Sequence, residues 1–157
     1  MRVNDPLRDA VASRANKGCE YCQYPQEFSD SVLEIEHIVP RSAGGPTELK
    51  NLALACSHCN RHKATQNRPR AFGITKLCSH CNRHKAARQK GTDPQTGTDV
   101  RLFNPRIDAW AAHFLLNRET GEIEGQTPIG RATVVALQMN AEQPLQARRN
   151  LIKFGVL

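Results

Sequence analysis

A chain of 157 residues is enough polypeptide for one ordinary domain with a modest core. With 39% hydrophobic and 24% charged residues it reads as a globular protein, which excludes a disordered or fibrous chain. The formal charge of +7 is concentrated: nine Lys/Arg and no Asp or Glu fall between Arg61 and Lys90, while elsewhere thirteen bases face fifteen acids.

Such a basic stretch suits a polyanion held through sequence-independent phosphate contacts. No eighteen apolar residues run together, so no membrane partner is expected. The opening MRVNDPLRDAVASRANKG lacks an apolar signal core, and a cytoplasmic location is the expectation.

In chain order, Asp5-Pro6 reads as the start of a helix carrying Leu7, Ala10 and Val11, which Gly18 stops before the pair Cys19/Cys22. The stretch Ser31–Val39 alternates as a strand, and Gly44-Gly45-Pro46 forces a turn. ELKNLALAC reads as the partner strand running into Cys56/Cys59, and Asn60–Thr65 as a short helix ended by Pro69. From about Gln66 to Thr98 little regular periodicity is visible. Asn104-Pro105 opens a helix bearing Trp110, His113 and Phe114, which pack as core. RETGE turns between two short strands, Thr127-Pro128 starts another helix, and Pro144 begins a last one closed by Gly155.

Six cysteines fall in three C-x2-C pairs, Cys19/Cys22, Cys56/Cys59 and Cys78/Cys81. In a reducing compartment that spacing favours zinc over disulfides. Four thiolates from two such pairs make a closed tetrahedral structural site, which performs no reaction by itself. Three pairs without a βαβ pattern do not suggest a thiol redox fold.

Between the first two pairs stand Glu36-His37, Asn51 fourteen residues after the histidine, and Asn60 nine residues later, with Lys63 beyond. The succession CEYC, EHIVP, AGG, NLALAC and CSHCNRHK resembles the HNH endonuclease family, whose active site is the ββα-metal motif. Its spacing is also similar to that of the HNH domain in CRISPR effector nucleases. The likeness runs from Cys19 to Lys63. DPQTG, LFNPRIDAWAAHF and TPIGRATVVALQMN resemble a longer group within the family.

The resemblance implies a metal-dependent endonuclease that hydrolyses DNA. His37 is the implied general base, since an imidazole takes a proton from water near neutral pH. Glu36 and Asn60 would hold Mg2+ or Mn2+, with waters and a phosphate oxygen completing the shell. Asn51 would hold the backbone and imidazole of His37. Cys19, Cys22, Cys56 and Cys59 would hold structural Zn2+, and Arg41, Arg61, Lys63 and Lys85 would contact DNA. The runner-up is a non-catalytic zinc-ribbon module that binds nucleic acid. Monomer and dimer both fit.

CSHCNRHKA is written twice, at Cys56–Ala64 and Cys78–Ala86. Only the first copy stands nine residues from Asn51 to its asparagine, so it is expected to serve the site, with Cys78/Cys81 spare. Two alternatives are exchange, in which Cys78, Cys81 and Asn82 take over, and a second zinc using His80 or His84. The expected architecture is α+β: a ββα-metal core at about 17–65 with zinc knuckles, a duplicated loop at about 65–90 and a helical extension at about 100–157. All of it forms one domain over 1–157.

Overall fold

The structure is a computed structural model that describes residues 5–64 and 88–157. Among the described residues it is α+β, with three separate two-stranded antiparallel sheets and helices around them. Among the described residues no helix is long and apolar enough to cross a membrane.

Helix α1 (Asp5–Arg14) begins at the expected Asp-Pro and buries Val11 completely. Its last residue, Arg14, donates to the carbonyls of Leu49 (2.9 Å) and Leu52 (2.8 Å), fastening the helix to the chain entering the second strand. Left-handed backbone at Asn16 and Lys17 turns the chain toward the first cysteine pair.

Strand β1 (Glu34–His37) pairs with β2 (Leu52–Ala55) in the register Glu34–Ala55, Ile35–Leu54, Glu36–Ala53 and His37–Leu52. Both are shorter than the sequence suggests. Val32 stays 68% exposed, outside the sheet, and Leu49–Asn51 tighten into a 3-10 turn before β2 begins. Asn51 therefore precedes the strand expected to contain it. Every residue of β2 is buried, so the strand lies inside the core and reads as a continuous apolar run. Helix α2 (Ser57–Ala64) follows, starting three residues earlier than expected because Ser57–Cys59 already belong to its first turn.

The chain re-enters beside the point where α2 ends, with the Arg88 amide donating to the Lys63 carbonyl at 2.7 Å. A hairpin that the sequence reading did not anticipate follows, β3 (Lys90–Thr92) and β4 (Asp99–Arg101). Its turn is tied by Asp93, fully buried, which takes two 2.8 Å hydrogen bonds from Arg131 and one from Thr96. The guanidinium holds that carboxyl well below the usual carboxylate range.

The helix expected from Asn104 shrinks to one turn, α3 (Trp110–His113). Asn104 instead caps a turn, its side-chain oxygen accepting from the Arg106 amide at 2.9 Å, while Asp108 accepts from the Asn104 amide at 2.8 Å. Phe114 lies on a strand, β5 (Phe114–Leu116), paired with β6 (Ile123–Gly125) across the RETGE turn. Helix α4 (Pro128–Ala136) starts where Thr127 accepts from the Gly130 amide, an N-cap followed by proline. Helix α5 (Glu142–Lys153) begins two residues before Pro144 and ends ahead of Gly155, whose φ of +71° suits a glycine terminator.

One apolar cluster joins both halves: Val11, Tyr21, Leu33, Leu52 and the four cysteines meet Phe103, Phe114, Ile123, Leu137 and Met139. Trp110 closes it, its indole N–H donating to the Tyr21 carbonyl at 2.8 Å.

Candidate active site and zinc centre

Cys19, Cys22, Cys56 and Cys59 come from two knuckles, one before β1 and one where β2 runs into α2. Their sulfurs all lie within 4.8 Å of one another. Thiolates ~2.3 Å from a zinc ion stand ~3.8 Å apart along the tetrahedron's edges. The Cys22 and Cys56 sulfurs are 3.8 Å apart, so the donor set fits the ion. The Cys59 amide donates to the Cys56 sulfur at 3.4 Å, as a two-residue knuckle requires. Hydrogen bonds from the other three cysteines pull the Cys56 thiol far down, whereas contacts with Cys19 and Cys56, together with burial, push Cys22 and Cys59 up. Four sulfurs crowded in the core call for a compensating cation. Glu20, inside the first knuckle, accepts from the Leu54 amide at 2.8 Å and is paired with Arg106, which binds that knuckle to β2.

Alternation along β1 sends its residues to two faces. On one face His37, half-buried at the strand's end, places its Nε2 2.9 Å from the Thr47 hydroxyl. Burial, then the nearby charges of Arg41 and Lys63, hold the imidazole below its ordinary value, which favours the neutral, proton-accepting form. The loop between strands is clamped by Asn51. Its side chain accepts from the Val39 amide and donates to the carbonyls of Val39 and Pro46, all at 2.9 Å. Its own carbonyl receives the Ile38 amide. Asn51 thus binds backbone, and the partner of the imidazole is Thr47. A Cβ at Gly45 would stand 1.9 Å from the Val39 carbonyl oxygen, so this close return of the loop needs glycine.

On the other face Glu36 is buried beneath α2, and Lys63 reaches back from that helix. The Lys63 ammonium lies 2.9 Å from both carboxylate oxygens, 2.9 Å from the Ile38 carbonyl and 3.2 Å from that of His37. Tyr21 donates its hydroxyl to the same carboxylate. Burial pushes Glu36 above the usual carboxylate value against the opposing pull of Lys63 and Tyr21. One turn earlier, the Asn60 amide donates to Glu34, which shares this face of β1.

Residues 19–66 match the model of the HNH endonuclease family. That segment is similar to an HNH endonuclease domain. The CRISPR-associated endonuclease Cas9 of Corynebacterium diphtheriae is 45% identical over 60 residues, covering 38% of this chain and 5% of the relative. The matched part of this chain thus spans about a twentieth of that protein's length. No solved structure matches.

The HNH match ends at residue 66 and takes in the first copy of the repeated motif, Cys56–Ala64, but not the second. Within the matched segment, Arg41 and Arg61 are exposed, Arg41 in the turn just after β1 and Arg61 on α2. Lys63 is only 3% exposed and faces inward. Lys85, Cys78, Cys81 and Asn82 lie outside the described residues. Glu36 and Asn60 share the β1–α2 interface, and His37 lies on the strand's opposite face. Carboxylate and amide oxygens are the hard donors that Mg2+ or Mn2+ takes. In this arrangement, though, both oxygens of Glu36 face the Lys63 ammonium.

Three residues were missed from sequence. Thr47 follows the Gly-Gly-Pro turn without any motif to single it out. Glu34, two positions before Glu36, was legible in principle from strand periodicity. Arg148 of α5 is 1% exposed and donates to the Gly121 and Met139 carbonyls and the Asn140 side chain. Burial lowers its pKa, with nearby Cys22, Cys59 and Cys56 opposing that shift.

Proposed function

We propose that the protein is a divalent-metal-dependent HNH endonuclease that hydrolyses DNA phosphodiester bonds, with residues 1–157 acting as one unit. The observation that carries this reading is the half-buried imidazole of His37, neutral by its surroundings, fixed at the end of a strand that a four-cysteine centre and α2 hold in place. His37 takes a proton from the attacking water. Arg41 and Arg61 lie against phosphate, with Lys85 joining from the basic stretch. Glu36 and Asn60 would hold Mg2+ or Mn2+, which supplies charge neutralisation at the scissile phosphate. For that, Lys63 has to yield at least one oxygen of Glu36, so Lys63 is the carboxylate's counter-ion before it is anything else. Zinc on the four cysteines fixes the frame and takes no part in the reaction.

Nicking of supercoiled plasmid with Mg2+ or Mn2+ tests the proposal. His37→Ala abolishes it while DNA binding persists, and alanine at Asn60 abolishes it while alanine at Asn82 does not. A specific observation favours the second reading, a zinc-bearing module that binds nucleic acid without cutting it: Glu36 is already neutralised by Lys63. Binding without nicking under any divalent ion would establish that module and overturn the nuclease.

A further inference from the structure

We infer that Thr47 is a positioning residue for His37: its hydroxyl accepts the Nε2–H of the ring, which fixes one neutral tautomer and leaves Nδ1 as the nitrogen able to take a proton. The inference rests on His37 being the general base. Nε2 lies 2.9 Å from the Thr47 hydroxyl, and with that hydroxyl as the acceptor Nδ1 is the nitrogen whose lone pair is available to a water. A neutral imidazole carries one proton, and whichever nitrogen makes the structural hydrogen bond decides where that proton sits.

The placement of Thr47 is built rather than incidental. It follows Pro46, whose carbonyl is held by the Asn51 side chain at 2.9 Å. The same side chain grips Val39, on the segment leaving β1, by both its amide and its carbonyl. The Gly45 amide donates to the Pro40 carbonyl at 3.0 Å, and Gly45 returns so close to Val39 that no side chain fits there. Asn51 therefore acts on the imidazole only through the loop and Thr47.

The test is a long-range 1H–15N correlation spectrum of the histidine side chains at pH 8, with His37 assigned by its loss in the His37→Ala variant. The expected wild-type pattern is a protonated Nε2 and an unprotonated Nδ1. Thr47→Ser keeps it, and Thr47→Val moves both nitrogens toward averaged shifts. In the plasmid assay Thr47→Val lowers kcat about tenfold, the value of one neutral hydrogen bond, at unchanged KM, and Thr47→Ser restores it. A wild-type ring protonated on Nδ1, or a Thr47→Val spectrum with the wild-type tautomer, overturns the inference. Full nicking by His37→Ala overturns the base reading instead, and the tautomer pattern then stands apart from catalysis.

Discussion

Lys63→Met removes one charge from a pair in which neither partner reaches water, Lys63 being 3% and Glu36 6% exposed. Methionine keeps most of the aliphatic stem but leaves the Glu36 carboxylate and the carbonyls of His37 and Ile38 without the ammonium. Breaking a buried pair from one side costs about 3–5 kcal/mol. At roughly 2–4 °C per kcal/mol for a chain of this size, Tm should fall by about 6–20 °C. The loss should depend on pH in a definite sense. Burial already raises Glu36 above its ordinary 4.5, and Lys63 opposes the rise, so the variant's folded-state value climbs further. Between the unfolded and folded values the native state binds the extra proton. The variant's stability is therefore present below pH 4.5 and is lost as pH rises toward the folded value, by up to ~1.4 kcal/mol per unit. Urea unfolding at pH 5 and pH 8, followed through the fluorescence of Trp110, measures this. Glu36→Gln/Lys63→Met removes both charges and should recover most of the loss. A single variant within about 1 kcal/mol of wild type at pH 8 would refute the reasoning, as would a loss of the same size at both pH values.

Arg41→Gln removes a charge that holds His37 down, so the acid limb of the kcat/KM profile should move to higher pH and nicking at pH 6 should drop more than at pH 8. Metal analysis should find one zinc per chain, lost in Cys56→Ser together with the fold by circular dichroism, and retained in Cys78→Ser/Cys81→Ser. Gly45→Ala drives a methyl into the Val39 carbonyl and the Asn51 side chain and should cost about 2–4 kcal/mol in urea unfolding.

What was legible in the sequence was what is local. Two-residue knuckles declare themselves by spacing, because the geometry that brings both sulfurs to one ion is fixed within four residues. β1 and its alternation were visible for the same reason, and so was the Thr127-Pro128 helix start. The site's long-range partners were not. Lys63 meets Glu36 from 27 residues away, and nothing in CNRHK distinguishes an inward lysine from one facing DNA. Arg148 reaches the Gly121 carbonyl from 27 residues away only because α5 folds back over that turn. The helix expected at Asn104 stops after one turn, with the Asp108 amide on the Asn104 carbonyl, because Ala109 is extended and breaks the run before Trp110. The β3–β4 hairpin was invisible because strands of three residues are too short for alternation to register.

The hydrogen bond between Arg88 and Lys63 means that the polypeptide departs and returns through a single doorway. An insertion that makes no contacts of its own at such a seam alters only a closure term that grows with the logarithm of its length. Excising one 22-residue period at that seam should leave the melting temperature almost where it was. The same threshold is a natural point at which to graft a reporter or a targeting peptide.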